Sequence, residues 1–227
     1  MLKLTSTPSN GLIGFIVLSL IVLQGIVGWL MVKSGLVDDV TVSHYRLSVH
    51  LTLALIIISS IYWLIRNFKD QNKKKFFDLS KKNFPYLFLI LLIFLQIVLG
   101  AFVSGLDAGL VHQTWPLMGQ SYFPDDVIIK NFLNLSNFEN HSLVQFYHRN
   151  LAYFITLYIS ILSFYIYKKE KFLLSPLKIL IFFLLFQIIL GILTLISGLN
   201  IILASVHQIS SVILVLTAIN LYYFRAK

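Results

Sequence analysis

The chain has 227 residues, 58% of them hydrophobic and only 12% charged, with a formal charge of +9 and a mean hydropathy of +0.84. This composition lies far outside soluble globular usage and identifies an integral membrane protein. With no cysteine, a disulfide framework, thiolate metal ligation and a cysteine nucleophile are excluded, so a bound metal would depend on six histidines and a few carboxylates.

Apolar runs of roughly 20 residues, the length that crosses a bilayer's hydrocarbon core, occur at 11–32, 47–65, 84–103, 143–167, 176–196 and 201–224. They predict an all-α, polytopic protein of six transmembrane helices. Barrel strands would be about half as long and would alternate apolar with polar residues, whereas these Leu/Ile/Phe runs do not alternate. The first run is too long for a removable signal peptide and lacks a small-residue cleavage site. Basic residues gather in the second connection (Arg66, Lys69, Lys73, Lys74, Lys75, Lys81, Lys82), in the fourth (Lys168, Lys169, Lys171, Lys178) and at the ends (Lys3, Arg225, Lys227). The opposite loops hold Asp38, Asp39, Asp107, Asp125, Asp126 and Glu139. Retention of positive charge on the inner side then predicts cytoplasmic termini in the cell inner (plasma) membrane, or in the mitochondrial inner membrane if the protein is organellar. This topology and anionic headgroups account for the net charge, so no nucleic-acid partner is implied.

The odd-numbered spans repeat one pattern: "LQGIVGWLMVKSGL" (23–36), "LQIVLGAFVSGLDAGL" (95–110) and "FQIILGILTLISGL" (186–199). Each has Gln, Gly four residues later, and Ser-Gly-Leu at the outer end: Gln24/Gly28, Gln96/Gly100 and Gln187/Gly191. At i and i+4 these share a helix face, where Gly admits a close neighbour and Gln can hydrogen-bond across. Each even-numbered span has a histidine near its outer end, His50, His148 and His207. The chain therefore reads as three repeated outward-facing hairpins.

A lone ionisable side chain within a span costs on the order of 3 kcal/mol by insertion scales, so these histidines require partners. One reading is structural, an imidazole hydrogen-bonded to a neighbouring Gln, Ser or carbonyl. The other is axial ligation of a haem iron, His148 and His207 reaching opposite faces of one macrocycle from two hairpins. Zinc suits the pattern less, because a closed site wants about four donors. Arg149 beside His148, and Arg46 four residues before His50, are placed to neutralise haem propionates. His44, His112 and His141 are expected to be solvated or capping, and Asp107 to order the outer loop or contact a haem edge. Trp115 and Tyr122 read as an interfacial aromatic belt. The basic stretch 66–82 reads as a solvated connection, with lipid-headgroup binding as an alternative.

Together "GWLMVKSGL", "YRLSVHL", "GAFVSGLDAGL", "WPLMG", "FENHSLVQFYHR" and "SVHQ" resemble the haem A synthase family of the mitochondrial and alphaproteobacterial type. The resemblance implies a partial form of an eight-helix, two-bundle architecture: residues 1–70 as half of an N-terminal substrate-haem bundle, 71–84 as a cytoplasmic linker, and 85–227 as a C-terminal four-helix haem b bundle. It implies an oxidoreductase that converts the C8 methyl of haem O to the formyl of haem A by successive hydroxylations. His148 and His207 would be the iron ligands of an electron-transferring haem b, and His50 would face the substrate haem. Implied partners are haem O, the lipid bilayer, haem O synthase and an electron donor, with a homo-oligomer left open. The family's first hairpin, with its HR histidine and outer-loop glutamate, has no counterpart before residue 11; a piece of a longer protein and a shortened homologue are both compatible with this. Rival expectations are a non-catalytic b-type membrane cytochrome, an inactive fragment, and a solute transporter with structural histidines, for which broken helices and inverted repeats are not evident.

Overall fold

The computed structural model describes residues 8–35, 42–71, 74–128, 130 and 132–226; for 8–13, 34–35 and 132–133 it describes the backbone alone. Six long helices carry the fold: α1 (Pro8–Gly35), α2 (His44–Lys69), α3 (Phe84–Gly105), α4 (His141–Lys169), α5 (Leu174–Ile196) and α6 (Ile201–Arg225). All six are long and apolar enough to cross a membrane, so the chain is a polytopic, all-α membrane protein. Lys3, Asp38, Asp39, Lys73 and Lys227, counted in the charge pattern, lie outside the described residues.

Local chemistry sets the ends. Pro85 and Pro176 sit in the first turns of α3 and α5, where a missing N–H costs nothing. Asn140 Oδ1 accepts from Leu143 N at 2.9 Å, and Asn200 Oδ1 accepts from Ile202 N at 3.0 Å, satisfying donors that the helix itself leaves open. At the end of α5, Gly198 takes φ +70 while Leu199 N donates back to Thr194 O at 3.0 Å, so that the chain reverses within four residues into α6. Most of the helices run beyond the apolar spans because polar residues such as His44, Arg66 and Lys169 continue the backbone ladder into the interface.

α3 packs on α4, α4 on α5, α5 on α6, and α6 back on α3, closing a ring of four. α2 lies against α3 and α6, and α1 lies against α2. Residues at helical spacing fill the ring: Leu89, Ile93 and Ile97 from α3, Ile155, Ile159, Leu162 and Ile166 from α4, Leu180 and Leu184 from α5, and Val215, Ile219 and Tyr222 from α6. α1 turns Phe15, Leu18, Val22 and Trp29 outward, as a lipid-facing surface does.

Apolar burial does little to choose between helix pairings in lipid, so close contacts and polar bonds decide them. Where α4 and α6 end, Glu170 pairs with Arg225 Nε at 2.9 Å, the two side chains being 11% and 10% exposed, and Tyr86 donates to the same carboxylate. Tyr62 Oη and Arg66 Nη1 both donate to Asn220 Oδ1 at 2.8 Å, tying α2 to α6. The basic connection is not simply solvated. Trp63 Nε1 and Asn67 Nδ2 each donate to Lys74 O at 3.0 Å, Tyr222 Oη donates to Phe76 O at 2.7 Å, and Lys74 Nζ donates to Tyr223 O at 2.9 Å. Burial presses the Lys74 ammonium below its ordinary range, with Asp70 opposing the shift and Arg66 adding to it. A local count of charges could not show this stapling, because Tyr222 and Tyr223 lie 146 and 149 residues from Phe76 and Lys74.

Removing one partner of a nearly buried ion pair strands the other. Glu170→Ala is expected to destabilise the bundle by about 3 kcal/mol, read as a lower thermal midpoint in detergent micelles. Arg225→Ala should act similarly, and the double variant should cost less than the sum of the two.

Candidate functional site

The three sequence repeats become three copies of one contact. Gln24 Nε2 donates to His50 O at 3.1 Å, Gln96 Nε2 to His148 O at 3.0 Å, and Gln187 Nε2 to His207 O at 2.9 Å. The same amide nitrogens lie 3.2 Å from His50 Nε2, 3.2 Å from His148 Nδ1 and 3.5 Å from His207 Nε2. The glycine one turn further along makes room for each ring. A Cβ on Gly28, Gly100 or Gly191 would stand 2.9, 3.1 or 3.0 Å from Cε1 of His50, His148 or His207. Gln and Gly on each odd helix thus form a notch shaped to the imidazole of the even helix that follows. The structural reading of the histidines, an imidazole hydrogen-bonded to a neighbouring Gln, describes this contact, while the linear pattern does not join the glycine to the ring.

The surroundings of the three rings differ. His148 and His207 stand on α4 and α6, opposite members of the four-helix ring. His50, on α2, turns toward α1. Nδ1 of His50 and of His207 is buried without a hydrogen-bond partner. Among the described residues no three His, Cys, Asp or Glu side chains are grouped as metal donors, so a closed zinc site lacks ligands there. The donor set instead fits a metal centre that needs only two protein ligands, as an iron already held by a macrocycle does.

The residues around these rings depart from expectation in several places. Arg149 is held by main-chain oxygens of the loop between α3 and α4: Nη2 donates to His112 O at 2.8 Å, and Nη1 donates to Thr114 O at 2.9 Å and Leu117 O at 3.2 Å. Its Nε is buried without a partner, so the guanidinium keeps a donor for a further acceptor. Arg46 is exposed. His44, expected to be solvated or capping, is the first residue of α2 and is 5% exposed, because Gly105 lets it press against α3 and Phe102 meets its ring edge-on. Its Nε2 lies 3.7 Å from Glu139 Oε1. His112 is also drawn in, with Nε2 at 3.3 Å from both Asp126 Oδ1 and Ser142 Oγ. His141 is exposed. Asp107 is exposed and takes φ 50 at the turn leaving α3, and its carbonyl accepts from Leu110 N at 3.0 Å. Gln145 Nε2 adds a bond to His112 O at 2.9 Å, so α4 holds the loop through residues a turn apart. An open polar depression of about 370 Å³, bounded by Asp126, Asn137, Glu139 and Ser142, opens on this loop and shares no residue with the three notches.

Asp126 joins the loop to α4. Burial alone would raise its carboxyl, but hydrogen bonds from Ser142 Oγ (2.7 Å), its own backbone and His112 outweigh that and hold it below the usual range. A carboxyl depressed on folding stabilises above its unfolded pKa and loses that contribution as pH falls through the folded value. Protease cleavage in loop 106–140 is therefore expected to accelerate as pH drops below about 4. Asp126→Asn should cleave faster at neutral pH and show a flatter pH response.

Comparison with known proteins gives consistent matches. Residues 3–219 match the COX15-CtaA family model, whose description is cytochrome oxidase assembly protein. The chain is 47% identical over 209 residues to the haem A synthase of Pelagibacter ubique (strain HTCC1062), covering 91% of this chain and 60% of that protein. It is 40% identical over 200 residues to the haem A synthase of the Wolbachia of Brugia malayi (88% and 58%), and 39% identical over 213 residues to that of Rickettsia felis (92% and 62%). The chain thus spans about 60% of the length of the first of these curated relatives.

Proposed function

Because the chain belongs to the COX15-CtaA family of cytochrome oxidase assembly proteins, we propose that it acts in haem A formation as an oxidoreductase on haem O, taking the C8 methyl to the formyl by successive hydroxylations. The observation that carries this is the Gln–Gly–His notch, present three times and twice within one ring of four helices. His148 and His207 would hold a haem b between them. Such a haem supplies one-electron transfer when bound. The chain's own contribution is to set two imidazoles against Gly100 and Gly191 among apolar side chains that keep water out. His50, in an equivalent notch outside the ring, would face the substrate haem, with Arg46 near its propionates and Arg149 near those of the haem b. This division makes 1–70 part of a substrate bundle and 85–227 the haem b bundle, joined through 71–84.

The proposal places both termini on the cytoplasmic side of the plasma membrane, or on the matrix side in an organelle. Haem O synthase and an electron donor would be its partners, and a homo-oligomer is compatible with it.

Expression beside a haem O source tests this directly. Haem A among the extracted pigments is the expected result; haem O recovered unchanged would reduce the protein to an electron carrier. His148→Ala and His207→Ala should each abolish the low-spin b-type spectrum. His50→Ala should keep that spectrum while haem A formation falls. Unaltered spectra in the first two variants would remove the ligand assignment.

A further inference from the structure

We propose that Gln96 and Gln187 are positioning residues that fix the planes of the His148 and His207 imidazoles, and that Ser210 locks one of the two. This rests on the haem b reading above. A helical carbonyl has a second lone pair beyond the one used by the i+4 amide. In each repeat that lone pair accepts a hydrogen bond from the glutamine of the preceding helix, at 2.9–3.1 Å. With no water at this depth to compete, the bond holds each histidine's backbone at a set height against its neighbour.

The ring contacts are longer, at 3.2–3.5 Å, which is the far end of hydrogen-bonding distance or beyond it. At His207 the amide meets Nε2 and leaves Nδ1 without a partner, whereas at His148 it lies within reach of both ring nitrogens. The glycine notch bears on Cε1 from one turn along the same helix. A ring bounded by an amide and by backbone has little freedom to turn about its Cβ–Cγ bond. The partners of a metal-bound imidazole tune the metal through its orientation and basicity.

The copies are not equal. Ser210 Oγ donates to Gln187 Oε1 at 2.5 Å, whereas Oε1 of Gln24 and of Gln96 is buried without a partner. Gln187 is held at both ends of its amide, so the His207 plane is the more firmly set of the pair.

The test uses the whole chain purified with its haem. Haem per protein, low-spin electron paramagnetic resonance g values and midpoint potential are measured in Gln96→Leu, Gln187→Leu and Ser210→Ala. Ser211→Ala, whose hydroxyl bonds only Gln208 O of its own helix, is the comparison. The leucine variants are expected to shift g values and potential and to weaken haem retention about 10- to 100-fold, the range usual for hydrogen-bond partners of metal-bound histidines. Ser210→Ala should change the g values in the same sense as Gln187→Leu, but less, and Ser211→Ala should match the unmodified protein. Folded leucine variants with unmodified g values, potential and haem content would overturn the inference. If either fails to fold, Ser210→Ala decides, and an unshifted signal there overturns it. An unmodified chain that carries no haem would instead overturn the haem b reading itself.

Discussion

A single cross-helix hydrogen bond, from a glutamine amide to the main-chain carbonyl of a histidine, organises each hairpin of this protein. Its importance follows from the solvent. Lipid tails are as apolar as leucine, so helices gain little by covering each other's Leu and Ile faces, and geometry must come from bonds and from close approach. The notch supplies both, since Gln provides the donor and Gly removes the atom that would hold the helices apart. The same residues that pair the helices also present the imidazoles. Architecture and candidate chemistry therefore share one contact.

Much of this was legible in the chain. Crossing hydrocarbon needs a run of apolar residues that few other demands would produce, and the six runs matched the six helices, with ends displaced where polar residues carry the ladder into the interface. The repeat of Gln, Gly and histidine could also be read, because it lies along single helices at fixed spacing. What could not be read was tertiary. His44 is buried because Gly105 admits it and Glu139 approaches from a distant loop. His112 turns inward because Asp126 and Ser142 meet it across 14 and 30 residues. Lys74 looked like one more solvated cation until Tyr223 came to lie beside it. In each case the deciding partner is remote in sequence, where periodicity carries no information.

The two ends of the bundle are secured by different means. Where α4 and α6 end, side chains bond side chains: Glu170 to Arg225, and Tyr62 and Arg66 to Asn220. Such contacts are specific to residue type, and the linker that follows α2 is drawn into them through its carbonyls at Lys74 and Phe76. At the opposite end, the loop between α3 and α4 is gathered by α4 residues that reach mainly for backbone. The candidate haem ligand His148 adjoins one of those residues, Arg149, so the loop and the ring share a helix turn.

Arg149 takes its three partners from the carbonyls of His112, Thr114 and Leu117, and every amino acid supplies a carbonyl. Side chains along 112–117 can therefore drift over evolutionary time without releasing the guanidinium, provided the path of the backbone is kept. An insertion or deletion there would displace all three acceptors at once. Across relatives the length of this segment should thus hardly vary.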